Sequence, residues 1–424
     1  MRPARVLWLT VAVLVLVALV GVIGYRTFVP REILTRPTGA IPAEDVLITD
    51  ERPFSELRAA PLVVDGRLRV YAEKRRVWAD APVGGRYEAT PYWALRRWPG
   101  QVVGLAVAHA GPDAAVVVSQ WTDGQLIAVD ALRGSVAWRI EVPVSQTGYP
   151  GRRTGANVVY EPRSLLTAPA GDRDVLIVTS PGRIRAVDPA DGGTIWQRDW
   201  PGGCEPRPWT GSGLLVVPDC AGGRLTFIRA RDGRDRDTWS APAGTAPAPG
   251  LCELGRAGCR VVLAGGQVWQ LEPSAALTPL PPLEAGAIPA GRRVVYPTAT
   301  GVAARSLADR EPVWTWQGKG TLVHADGTWV YLLTADRTVI GLSTVTGHLD
   351  VLGCASSVPN EEWRVGHVYS TGNYLALERI KKAPAGADDA RYFYGPRPVA
   401  LVELYPPTKL PVWPGKFAAC RPMQ

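Results

Sequence analysis

The sequence predicts an all-β chain: a β-propeller of eight blades, with seven as the alternative, preceded by one N-terminal transmembrane helix. Three observations lead there. A strand–turn–strand unit recurs roughly every 40 residues, the length of a four-stranded blade. After Tyr25 no long stretch keeps a helical period. The 45 Gly, 39 Pro and 16 Trp among 424 residues suit many short strands joined by turns better than helices.

The chain opens with a run from Val6 to Tyr25 that carries no charge. About twenty helical residues span about 30 Å, one bilayer core. Arg2 and Arg5 precede the run, and it closes in GVIGYRTFVP, without a small-x-small cleavage site or a cysteine for lipid attachment. The expectation is an uncleaved signal anchor over residues 1–25, with a cleaved signal peptide as the alternative. Arg26, Arg31 and Arg36 follow, so the flanking charges alone set no orientation. Residues 26–53 read as a stalk. Pro30, Pro37 and Pro42 break any helix there and favour extended chain. Residues 54–424 read as one propeller, with no second linker.

The repeating unit is clearest in QLIAVDALRGSVAW, residues 125–138. Alternation over Leu126 to Asp130 gives a strand with two faces. Asp130 bonds backbone amides two residues on, Gly134 accepts a positive φ, and Trp138 supplies a large apolar body on the return strand. RIRAVDPADGGTIW repeats the spacing as Asp188, Gly192 and Trp196. Degenerate copies centre on Arg229, Glu272, Ser306 and Ser343, and Trp314 closes one of them. Weaker copies end at Trp78 and Trp413, which makes eight. A hairpin of this kind cannot bury its apolar face alone, and radial closure leaves few exposed sheet edges.

The pattern in IAVDALRGSVAW and IRAVDPADGGTIW resembles the repeat of pyrroloquinoline-quinone-like propellers. That family includes quinoprotein alcohol dehydrogenases, BamB-type outer-membrane-assembly propellers and sensor halves of some bacterial kinases. The resemblance implies that Trp138, Trp196 and Trp314 dock one blade on the next. It implies eight blades. It also raises a dehydrogenase as one function, with PQQ and Ca²⁺ as cofactors. Against that stand the absence of adjacent cysteines and the scarcity of Asn (Asn157, Asn360 and Asn373). The carboxylates Asp130, Asp188, Asp191 and Asp232 fall at repeat turns, where turn formation explains them.

Six cysteines in a translocated chain point to disulfides. Proximity pairs Cys204 with Cys220 and Cys252 with Cys259, leaving Cys354 with Cys420. A metal site is the weaker reading, since no C-x-x-C occurs and His109, His324, His348 and His367 are scattered along the sequence. Free thiols in a cytoplasmic domain are the remaining alternative.

No nucleophile, phosphate-loop or zinc motif occurs. The expectation is no catalytic, cofactor or metal residue. The net charge of +8 is modest and no run of five basic residues occurs, so nucleic acid is not an expected partner. Binding residues are expected where the repeat is interrupted. Residues 144–164 contribute Tyr149, Arg152, Arg153 and Tyr160. Residues 378–398 contribute Lys381, Lys382, Arg391, Tyr392, Phe393 and Tyr394. The expected function is a non-catalytic, membrane-anchored extracytoplasmic propeller that binds a protein or envelope component. The alternatives are a PQQ/Ca-dependent oxidoreductase and a ligand-sensing or carbohydrate-binding domain.

Overall fold

The computed structural model describes residues 3–28, 31–42, 54–143, 148–150, 164–200, 207–252, 256–290, 292–356, 361–371, 373–381 and 391–404. Eight antiparallel sheets are arranged as the blades of a β-propeller. Blade 2 is typical. Its strands Val102–His109, Ala115–Trp121, Gln125–Asp130 and Val136–Glu141 pair in sequence order. The first strands of neighbouring blades touch, so they form the inner layer of the ring, and the fourth strands lie outside. In such a sheet the second-to-third hairpins share one face of the ring with the links between blades. The other hairpins share the opposite face.

Helix α1 (Pro3–Phe28) leads the chain. Among the described residues no helix is long and apolar enough to cross a membrane. Strand β1 (Arg31–Thr35), in the expected stalk, does not stand alone. Strand β2 (Phe54–Leu57) follows, and then come the four strands of blade 1: β3 (Leu62–Val64), β4 (Leu68–Glu73), β5 (Arg76–Asp80) and β6 (Trp93–Trp98). β1 pairs with β6 as a fifth, outermost strand. Glu32 bonds both Arg97 of blade 1 and Arg139 of blade 2, at 3.1 and 2.5 Å, which ties this segment to the rim. β2 pairs with Val399–Glu403 and supplies the outer strand of blade 8, so the N-terminal part of the propeller closes the ring.

The Asp–Gly–Trp unit forms the third and fourth strands of a blade. Asp130 Oδ1 accepts from the amides of Leu132 and Arg133, and Gly134 N–H returns to Asp130 O at 2.9 Å. Asp188–Gly192, Arg229–Gly233 and Ser343–Gly347 close their turns through the same backbone bond. Blade 1 departs from the expected unit. The copy ending at Trp78 is its second and third strands, not its third and fourth. The tryptophan of its fourth strand that meets blade 2 is Trp93, separated from Asp80 by the inserted segment 81–92. Of the copy ending at Trp413, Val399–Glu403 is the third strand of blade 8, and Trp413 lies outside the described residues.

Candidate functional site

The blade-docking tryptophans share one geometry. Trp138 Nε1–H donates to Pro189 O in the next blade at 2.7 Å, Trp196 to Ala230 O at 2.7 Å, and Trp314 to Thr344 O at 3.1 Å. Trp93, which sequence spacing missed, donates to Ala131 O at 2.8 Å. The rings of Trp138, Trp196 and Trp314 lie over the turn glycine of the blade they meet, whereas Gly134 faces Pro37 and the Cβ of Trp93. A Cβ on Gly192 would stand 2.8 Å from Trp138, and one on Gly347 would stand 2.6 Å from Trp314. Those glycines also hold positive φ, so close approach and backbone conformation both select them.

The disulfide Cys252–Cys259 is present. Its loop reaches back to blade 4, where Thr210 N donates to Arg256 O and Cys259 N to Thr210 O, at 2.9 and 2.7 Å. Cys220 and Cys354 are also disulfide-bonded, while Cys204 and Cys420 lie outside the described residues.

The two interruptions of the repeat both reach blade 1. A cavity of about 520 Å³ opens there on the face of the second-to-third hairpins, lined by Tyr149 from the first interruption and Arg397 from the second. Its floor is a cross-strand pair, Tyr71 and Trp78, stacked with ring centroids 4.3 Å apart. Trp78 Nε1–H donates to Glu73 Oε1 at 3.1 Å, and Arg76 bonds the same oxygen at 2.6 Å while lying over the Trp78 ring. Arg58 and Lys74 add charge, so four cations face two carboxylates, Glu73 and Glu88. Tyr149 is fixed by bonds from its N–H to Gln101 and from its OH to Ala72 O, at 3.0 and 3.2 Å. Burial, with Glu73 nearby, pushes its phenol up to about 12.

Segment 81–92 forms the remaining wall, and a buried ion pair holds it. Arg69 meets Asp80 through two bonds of 2.8 and 2.7 Å, both side chains fully buried. The same guanidinium donates to Gly85 O and Tyr87 O, and Ala89 N–H donates to Asp80. Burial pushes the Asp80 carboxyl up, and its bonds to Arg69 and Ala89 oppose that. Tyr87 is thereby placed beneath Arg397, 4.3 Å from its ring centroid. The described residues lining the cavity are aromatic, cationic and acidic groups with small apolar residues.

The other expected site residues divide. Arg152, Arg153, Tyr160 and Lys382 lie outside the described residues. Lys381 and Arg391 are exposed. Phe393, expected as a binding aromatic, is buried and bridges to Ile380, so it packs the blade. Tyr392 meets Phe393 edge to face, and Tyr394 OH donates to Glu361 at 3.4 Å. The histidines also divide. His109 sits between Asp65 and Asp174 of the flanking blades, at 3.1 and 3.3 Å, and the hydrogen bond to Asp174 is the main cause that raises it to about 9. His324 and His367, far apart in sequence, act on each other from neighbouring inner strands. Burial lowers both, His324 to about 4. Among the described residues no group of three or more His, Cys, Asp or Glu could hold a metal ion.

Residues 49–241 match the family model described as outer membrane protein assembly factor BamB. That part of the propeller is similar to the PQQ-like, BamB-type repeat family. No curated protein matches the chain. Among solved structures, BamB from Moraxella catarrhalis shares 16% identity at a TM-score of 0.42, covering 88% of this chain and 100% of that one. Dihydro-heme d1 dehydrogenase NirN shares 16% at 0.41, covering 82% and 73%. The computationally designed Ika8 protein shares 14% at 0.32, covering 72% and 98%. The family match spans blades 1 to 4 and stops at the end of the outer strand Asp235–Ser240.

Proposed function

We propose that this protein is a non-catalytic binding module of the cell envelope. An N-terminal anchor holds the propeller on the extracytoplasmic side, and the cavity over blade 1 receives a protein or envelope component. The observation that carries the reading is the meeting of both repeat interruptions, through Tyr149 and Arg397, at one aromatic and cationic surface. Aromatic rings and arginines are the residue types that dominate protein interfaces when they sit in a rigid setting. The Arg69–Asp80 pair and the Tyr71–Trp78 stack provide that setting. The anchor rests on the uncharged run Val6–Tyr25 and on the exposed apolar side chains of α1, such as Leu14, Leu16 and Val20. Disulfide bonding at Cys220, Cys252, Cys259 and Cys354 favours an oxidising compartment. The family description, an outer-membrane assembly factor, agrees with a scaffold that binds proteins.

A photo-crosslinking residue at Lys74, beside the cavity, tests the reading in cells. A control at Arg133, on the opposite face and highly exposed, completes it. The expected result is a discrete adduct with an envelope protein from position 74 and none from position 133. Equal labelling at both positions, or labelling from position 133 alone, contradicts it.

A further inference from the structure

A second cavity, of about 660 Å³, lies between blades 7 and 8 on the same face as the first. Its size is that of a small-molecule site. Its charge is one-sided. Lys319, Arg337 and Arg364 line it, and among the described residues no Asp or Glu does. Leu322, Val323 and Leu333 add aliphatic lining.

Arg337 is the unusual member. It holds φ +68, a left-handed conformation that L side chains adopt only at a cost. Its guanidinium lies 4.0 Å from the Trp363 ring centroid, and one nitrogen donates to Glu361 O and Trp363 O at 2.6 and 3.0 Å. Two carbonyls and an aromatic face therefore hold it, and among the described residues no carboxylate bonds it. Its Nε–H is buried without an acceptor among the described residues. The carboxylate of Glu361, whose backbone carbonyl Arg337 bonds, is occupied elsewhere. It accepts from Ser356 and Trp363 Nε1 at 2.6 and 2.9 Å, and Arg379 stands 3.9 Å away. Burial lowers the Arg337 pKa, as expected for a cation whose charge is poorly compensated.

A cation held this way, in a cavity that also holds two more cations and aliphatic lining, is complementary to one ligand class. We infer that the cavity between blades 7 and 8 binds an organic anion, a carboxylate on an aliphatic body. The head group meets Arg337, Lys319 and Arg364, and the body lies against Leu322, Val323 and Leu333. The site stands apart from the blade 1 cavity, so it is independent of the reading given to that cavity.

Octanoate, 1-octanol and acetate test the inference on the full chain. Calorimetry reads affinity, and the indole ¹⁵N resonance of Trp363, assigned through Trp363→Phe, reads location. Octanoate is expected to bind saturably, one per chain, at least tenfold tighter than either 1-octanol or acetate, and to shift the Trp363 resonance. Lys319→Glu and Arg364→Glu, both at exposed side chains, are expected to weaken octanoate at least tenfold without changing the thermal midpoint. Three results overturn the inference: no saturable octanoate binding, equal binding of octanoate and 1-octanol, or an affinity indifferent to both charge reversals.

Discussion

Blades 1 to 4 and blades 4 to 6 are joined in different ways. From blade 1 to blade 4, each docking tryptophan crosses to the next blade: the rings of Trp138 and Trp196 cover Gly192 and Gly233, and Trp93 meets Gly134 through its Cβ, beside Pro37. Between blades 4 and 6 this fails, and Trp314 of blade 6 resumes it on Gly347 of blade 7. Trp239 turns instead to Trp269, edge to face at 5.0 Å, and the outer strand of blade 5, Leu277–Leu280, has no tryptophan. The receiving turns lose their glycine at the same places. Ala275 sits at φ +74 in blade 5, and the turn after Ser306 in blade 6 has no glycine before Trp314. The motif is therefore a rule about interfaces. The glycine in one blade answers the tryptophan of the blade before it. Between blades 4 and 5 the loop closed by Cys252–Cys259 binds the inner strand of blade 4. Gly211 leaves room for it there, since a Cβ would lie 2.0 Å from Cys259 O.

Deleting the tryptophan on each side sharpens the contrast most. Trp138→Ala is expected to cost about 3–5 kcal/mol, the usual range for a buried tryptophan, and Trp239→Ala clearly less. Urea midpoints of the two variants check this, and equal losses would break the distinction. The disulfide comes next. Replacing Cys252 and Cys259 together by Ser is expected to cost about 2–3 kcal/mol from loop entropy. Its effect should appear first as faster amide exchange in strand Trp209–Gly211. Exchange unchanged there would mean the loop does not secure blade 4.

Smaller effects separate the turns themselves. Ala275→Gly, which relieves a left-handed alanine, is expected to stabilise by about 1 kcal/mol, whereas Gly192→Ala destabilises by more than that because the new methyl also meets Trp138. Thermal midpoints moving in the same direction for both would contradict the account. The smallest effect is that of His109, which links blades 1, 2 and 3 near the ring centre. Its folded pKa of about 9 lies above its ordinary 6.5. Its stabilisation is therefore full below about pH 6.5 and lost as pH rises through about 9. His109→Gln should flatten that part of the stability profile, and an unchanged slope between pH 6.5 and 9 would remove His109 as its source.

The sequence makes the docked blades legible because Asp, Gly and Trp fall at fixed spacing in a single hairpin. Trp93 escaped that reading because segment 81–92 separates it from Asp80. Its signal was the same residue type at a stretched distance. The closure by β2 and the pairing of β1 with β6 join segments remote from their partners in the repeat pattern, and nothing local marks them. Of the site, Tyr149 was legible as an aromatic in a long interruption. Arg397 has no such mark, and it is placed by the fold-back of its segment on strand Tyr374–Lys381. Phe393 shows the opposite error, since an aromatic within an interruption can also pack the core. His324 and His367 looked scattered because ring closure, not sequence distance, sets neighbours in a propeller.

The contrast between repeat and interruption comes down to one claim: docking residues build the ring, and the cavity over blade 1 recognises the partner. The binding affinity of the partner captured at position 74 tests it most directly, with Arg76→Glu/Arg397→Glu measured beside Arg133→Glu on the opposite face. The account predicts at least tenfold weaker binding for the double variant, no change for the control and unaltered folding in both. Equal affinity of the two variants would contradict it.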